Sequence, residues 1–167
     1  RVLTGFSIAF IVSIPIAFLM GWYQPVQLLI EPVIQFVRNI PALAYIPLVV
    51  VAQGVGESAK ITVIFISTFL VMIITVYQGV REVDATLIKA AKVLGAKDKD
   101  IFIKVVIPAS VPYILVGARL GLGASLTTLI AAELTGSNAG LGQMIQEASL
   151  YFRMDIVMLG IILIGIT

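Results

Sequence analysis

The stretch REVDATLIKAAKVLGAKDKDIFIK, residues 81–104, holds 10 of the 20 charged residues of a 167-residue chain in 24 positions. Six are basic (Arg81, Lys89, Lys92, Lys97, Lys99, Lys104) and four are acidic (Glu82, Asp84, Asp98, Asp100). Apolar sequence flanks it on both sides: 61–78 has no charge and no proline, and 105–134 carries only Arg119 and Glu133. A block this charged belongs in water. The neighbouring runs approach or exceed the roughly 20 residues that cross a bilayer. That contrast sets the fold class as all-α, a polytopic transmembrane helical bundle. Composition agrees, with 60% hydrophobic residues, 12% charged and a mean hydropathy of +1.11. Soluble domains carry about 25% charged residues.

Outward from the charged block, the remaining segments follow. Residues 2–23 are apolar and long enough to span, with Pro15 as an expected kink and Trp22 and Tyr23 suited to a membrane interface. Residues 24–39 read as a loop carrying a short amphipathic helix. Residues 40–53 read as a broken or tilted span holding Pro41 and Pro47, and 54–60 as a polar turn. The start of 105–134 is expected to run along the interface, because about 30 residues exceed one perpendicular span. Residues 135–155 read as a mixed loop with a Gly-rich stretch and a helix, and 156–167 as a last span cut short. About five spans result, in one domain over 1–167. Arg1 to Tyr23 lacks a signal-peptide n-region, and both termini read as truncated.

Lys and Arg collect on cytoplasmic loops, so 81–104 is placed inside. Alternation then puts 24–39 inside as well, and 54–60 and 135–155 outside. Inside loops hold seven Lys/Arg, Arg38 among them; the outside loops hold Lys60 and Arg153.

Within the charged block, Val83, Leu87, Ala90, Ala91 and Leu94 recur at helical spacing. Gly95 then breaks the pattern, as a residue after a helix end often does. Helical character resumes at 98–107 and is expected to stop at Pro108 and Pro112. A helix–Gly–helix unit can dock into another protein, with Ala90, Ala91, Gly95 and Ala96 allowing close approach. The plainer alternative is a solvated basic loop.

Lys89-Ala90-Ala91, three residues, Gly95, nine residues, then Val105-Val106-Ile107-Pro108 resembles the EAA loop, E-A-A-x3-G-x9-I-x-L-P, of permeases of binding-protein-dependent ABC importers. Lys89 departs from the usual Glu. Similarity extends over nearly the whole chain, through 39–48, Pro108 to Ile114, Gly117-Ala118-Arg119-Leu120-Gly121, Ala131-Ala132-Glu133 and Gly140-Leu141-Gly142. These resemble the taurine, aliphatic-sulfonate and nitrate permease group. The resemblance implies a type I ABC importer permease fold and a coupling loop at about 81–108. Lys89, Ala90, Ala91, Gly95, Ala96 and Pro108 would there meet a cytosolic ATPase subunit. It further implies a second permease subunit, as a homodimer, and an extracytoplasmic solute-binding protein. ATP and Mg would belong to the partner ATPase, with no cofactor in this chain.

Arg119 and Glu133 are charges in an apolar run. At the bilayer centre each costs about 2.5–3.5 kcal/mol on insertion scales. They are candidate pathway residues, Arg119 suiting an anionic solute; a structural pair or a snorkelling end residue is the alternative. Fourteen residues apart, about 21 Å along one helix, they cannot pair on a continuous helix. Gly117 and Gly121 form a G-x-x-x-G that packs either within the chain or across a permease dimer.

The chain has no Cys and no His. That excludes disulfides, thiolate metal sites and the commonest general base. No P-loop is present, and the pI of 9.0 with a net charge of +2 does not indicate nucleic acid. The chain is therefore expected not to be an enzyme. The rival function is an ATPase-independent secondary transporter or channel, which would use midplane carboxylates in repeated halves; Glu133 is the one clear candidate. An intramembrane enzyme lacks a catalytic constellation.

Overall fold

The computed structural model describes residues 2–54, 56–136 and 140–166. Ser137, Asn138 and Ala139 of the expected Gly-rich turn lie outside the described residues. The elements are α1 (Val2–Trp22), α2 (Gln24–Arg38), a 3-10 turn (Ala42–Ala44), α3 (Tyr45–Gln53), α4 (Glu57–Arg81), α5 (Ala85–Val93), α6 (Asp98–Ile101), a π-turn (Phe102–Val106), α7 (Ile107–Gly136), α8 (Leu141–Leu150) and α9 (Met154–Ile166). Among the described residues there is no strand. Three helices are long and apolar enough to cross a membrane: α1, α4 and the continuous rod Asp98–Leu134. The pair α2 and α3 supplies a fourth crossing, bent by 82° at its break, and α9 is a shorter apolar helix.

Helix α4 is the axis of the bundle. Gly5 of α1 faces Ile64, and Gly21 faces Val80, so α1 runs parallel to α4. On the other flank Gly117 faces Thr75 and Val76, and Gly121 faces Met72 and Thr68, so α7 runs antiparallel. Lipid tails are as apolar as the helices, so close backbone approach replaces hydrophobic burial as the packing force. A methyl added at Gly121 would come 2.9 Å from Met72 Cγ, and one at Gly5 2.7 Å from Ile64 Cγ2. The G-x-x-x-G of α7 is thus spent on packing within the chain. The fully buried side chains of α4, among them Ile64, Met72, Ile73 and Val76, fill both seams.

Two segments differ from their sequence reading. Residues 24–38 are helix throughout, where a loop around a short amphipathic helix was expected, and Ile34 packs in the same core as Ile73, Val76 and Tyr77. The chain turns from α1 into α2 at Tyr23 alone, with Pro25 in the first turn of α2, where its missing N–H costs nothing. The break comes at Asn39-Ile40-Pro41, since a residue before proline is driven out of the helical region. Pro41 is extended (φ −55°, ψ 135°). Second, neither Pro108 nor Pro112 ends a helix. The helix begun at Asp98 continues to Gly136, and the only accommodation is the π-turn before Pro108. Pro108 has no N–H, and its ring would crowd the carbonyl four residues back; the wider turn relieves both. Pro15, too, lies within an unbroken α1.

Candidate functional site

The charged end of the bundle carries a small, ordered helical unit. Asp84 caps α5: its Oδ1 accepts from the Thr86 backbone N–H at 2.7 Å. That bond favours the carboxylate and holds Asp84 below its ordinary value of 3.8. Helix α5 ends in a pair of bonds from Gly95 N to Lys92 O (3.0 Å) and from Ala96 N to Ala91 O (3.0 Å). This is the Schellman arrangement, and it requires a left-handed residue at Gly95 (φ +81°). One surface ion pair, Lys92 to Asp98 at 3.7 Å, ties α5 to the next helix, and Lys104 pairs with Asp100 at 3.2 Å one turn back along that helix.

No residue of α5 is buried. Val93 and Leu94 are each 87% exposed, and Leu87 is 51% exposed. Beside them lies an open groove of about 350 Å³ between Ala91, Leu94, Gly95 and Ala96 on one wall and Asp100, Ile101, Lys104 and Val105 on the other. The structure therefore gathers Ala91, Gly95 and Ala96 around one groove. Lys89 and Ala90 stand exposed on α5, and Pro108 lies beyond the groove, on α7 after the π-turn.

A polar cluster braces this end. The Tyr77 hydroxyl donates to Glu31 Oε2 (2.9 Å), Gln27 Nε2 donates to the same oxygen (2.8 Å), and Arg81 donates to the Tyr77 hydroxyl (3.1 Å). Tyr113 of α7 lies over Gly79 and donates to Glu82 at 2.5 Å. Helices α2, α4 and α7 are thereby tied together where the charged unit begins.

The second feature lies at mid-span. A cavity of about 520 Å³ opens at the break between α2 and α3, with Arg38, Ile40, Pro41, Ala42 and Leu43 on that side and Ser67, Leu70, Val71, Ile74, Ala124, Thr127 and Thr128 of α4 and α7 opposite. Phe69 is the midpoint of α4. The cavity residues of α4 lie within five residues of it, about 8 Å along the axis. Arg38 is thus not part of a loop at the charged end, as its sequence position implied.

Neither candidate pathway residue lines this cavity. Arg119 is exposed on α7, level with Met72 to Thr75 by its position between Gly117 and Gly121. Glu133 is 5% exposed, and its Oε2 accepts from the Gly142 backbone N–H at 3.0 Å. Gly142 lies in the first turn of α8, where free N–H groups and the helix dipole favour an anion. A side chain at Gly140 would collide with the Glu133 carboxyl group. Glu133 also borders a small cavity of about 100 Å³ with Leu126, Leu129, Ile130, Leu141 and Ile164. The sequence signal for Arg38 was its place two residues before the Ile40-Pro41 break: a charge beside a broken span marks a cavity, because irregular backbone at membrane depth must face one.

Residues 10–167 match the family described as binding-protein-dependent transport system inner membrane component. A probable ABC transporter permease protein of Brucella melitensis is 52% identical over 99% of this chain and 68% of its own length. The taurine transport system permease protein of Escherichia coli is 37% identical over 99% of this chain and 60% of its own length. The bicarbonate transport system permease protein of Synechococcus elongatus is 36% identical, with the same coverage. The chain thus spans about two thirds of the length of these relatives. With its helical bundle and apolar spans, it belongs to the inner-membrane permeases of binding-protein-dependent ABC importers, multi-pass proteins of the cell membrane with the type I importer fold.

Proposed function

We propose that this chain forms the translocation pathway of an ATP-driven importer of a small anionic solute, working by alternating access. A cytosolic ATPase engages the α5–Gly95–α6 unit, a second copy of the permease completes the pathway, and an extracytoplasmic binding protein delivers the solute. The observation that carries this reading is the apolar tip of the charged loop. Val93 and Leu94, 87% exposed in a segment too charged for the bilayer, call for a protein partner, since large exposed apolar side chains grouped on a water-facing surface mark interaction sites.

Geometry gives the unit a way to act. Helix α6, the π-turn and α7 form one rod from Asp98 to Gly136. It connects Lys104 at the groove with Thr127 in the cavity wall, about 35 Å along one helix. A push on the groove reaches the cavity without crossing a loop. The proposed anionic class rests on the relatives named for taurine and bicarbonate transport.

The test uses the full subunit solubilised with its partners. Leu94→Asp changes only an exposed side chain, so the subunit should insert normally yet copurify with at most a small fraction of the ATPase, and ATP-dependent uptake should fall with it. Undiminished ATPase binding and uptake in Leu94→Asp would refute the docking role.

A further inference from the structure

We infer that Arg38 is the anion-binding residue of the mid-span cavity, holding the oxyanion group of the solute (a sulfonate, carboxylate or bicarbonate) during passage. This deepens the importer reading and rests on it. The cavity wall contains one charged side chain among the described residues, Arg38, and no carboxylate. The other polar groups there are hydroxyls, Ser67, Thr127 and Thr128. Leu70 and Ile74 make the rest of the α4 wall largely apolar. A volume of about 520 Å³ is within the range of small-molecule sites and admits a small organic ion with some water.

An arginine at this depth is costly unless it faces a water-filled cavity or an opposite charge. No carboxylate pairs with Arg38 among the described residues. Four other cations are paired with carboxylates: Lys60 with Glu57, Lys92 with Asp98, Lys104 with Asp100, Arg153 with Asp155. Helix capping does not account for Arg38 either. The carbonyls at the end of α2 are already taken, Gln35 O by Asn39 Nδ2 (2.9 Å), Phe36 O by Asn39 N (3.3 Å), and Val37 O by Ile40 N (3.1 Å) and the Tyr45 hydroxyl (3.0 Å). The guanidinium is left for a mobile anion, which it can grip through two parallel N–H donors. The hydroxyls of Ser67 and Thr127 now donate to Ile64 O and Gly123 O, both at 3.0 Å, and can rotate toward an anion. Cations are repelled, and neutral solutes gain nothing from the arginine.

The assembled transporter with the full-length subunit, reconstituted in liposomes, provides the test. Probes are a radiolabelled alkanesulfonate, bicarbonate and an uncharged sulfone of matched size. Wild type should take up the anions on ATP addition. Arg38→Gln should lower that uptake about tenfold or more, as loss of a charge at contact distance in a partly dry site predicts, while ATPase copurification persists. Arg38→Lys should lose less. A readout independent of uptake uses Thr127→Cys, since these 167 residues contain no native cysteine. A sulfonate-bearing methanethiosulfonate should modify Cys there faster than an ammonium-bearing one, and adding Arg38→Gln should abolish the preference. Anion uptake within twofold of wild type in Arg38→Gln, with the labelling preference intact, overturns the assignment and leaves the importer standing. Wild type that moves only the sulfone, or moves the anions without ATP, sinks the functional reading and this inference with it.

Discussion

Two helices of this chain end in the same way with opposite residues. Gly95 closes α5 with φ +81°, and Phe152 closes α8 with φ +55°, its N–H bonded to Ser149 O (3.1 Å) and the next N–H to Ala148 O (2.8 Å). For a residue with a Cβ the left-handed region costs about 1–2 kcal/mol, and Asn bears it best. Nothing lies within 4 Å of the position a Cβ would take at Gly95, so the cost of substitution there is conformational and not steric. Gly95→Asn should preserve ATPase copurification and uptake, whereas Gly95→Val should weaken both. Equal behaviour of the two variants would show that side-chain size at the docking face, not backbone shape, sets the effect. At Phe152 the direction reverses. The ring is 84% exposed, and replacing it with Gly removes the strain; about 1 kcal/mol raises the melting temperature by about 2–4 °C for a chain of this size. A thermal shift assay in detergent reads it, and a fall in melting temperature would mean that the aromatic ring anchors the turn more strongly than the strain opposes it.

At the scale of elements, α5 is a nine-residue helix without a buried side chain, too short to persist on propensity alone. Its two ends therefore matter. The Asp84 cap lowers the carboxyl's pKa, so the stability it contributes is present above the ordinary value of 3.8 and is lost as pH falls through the depressed value. Hydrogen-exchange protection over 85–93, corrected for the intrinsic pH dependence of exchange, should be high near neutrality and fall in acid; Asp84→Ala should lower it near neutrality and converge on wild type in acid, and Asp84→Asn, which keeps an acceptor, should lower it much less. Unchanged exchange in Asp84→Ala would show that the Gly95 turn holds the helix unaided. The π-turn is the second device. Pro108→Ala restores a donor, lets the ladder return toward regular bonding, and should re-aim the groove relative to α7. Its expected signature is ATP hydrolysis retained with less solute moved per ATP, whereas normal stoichiometry would mark the π-turn as a passive accommodation. Helix α5 and the Gly95 stop were legible in the sequence because periodicity and turn chemistry are local. The continuity through Pro108 and Pro112 was not, because the π-turn that accommodates Pro108 is a property of backbone bonding and leaves no periodic trace. The amphipathic helix in 24–39 was legible, but not its full length or its place in the bundle: Gln24, Gln27, Glu31 and Arg38 read as a loop around a short helix until the partners of Glu31, on α2 itself and on α4, are seen.

On the scale of the whole molecule, packing and charge orient the chain together. Helices α1 and α4 run parallel, so the connection between them must cross back, and the bent pair α2 and α3 does so with Ile34 beside Ile73 and Tyr77 and with Ile46 and Val49 beside Ala59 and Val63. Moving Arg38 from an inner loop to mid-span removes it from the orientation count. Six Lys/Arg remain at the charged end (Arg81, Lys89, Lys92, Lys97, Lys99, Lys104), against Lys60 and Arg153 at the other. The bias survives the correction, because it rests on residues 81–104 and not on α2. The three long crossings were legible in hydropathy, but the depth of one arginine depended on which way a 15-residue helix leaves Tyr23, and no periodicity encodes that angle. The orientation is checked with single cysteines. Lys97→Cys should react with a membrane-impermeant maleimide only in inverted vesicles, and Leu150→Cys, 71% exposed in the native chain, only in right-side-out ones. Reversal of both would place the charged unit outside the cell, out of reach of any cytosolic ATPase, and would remove the proposed coupling even with every contact within the bundle unchanged.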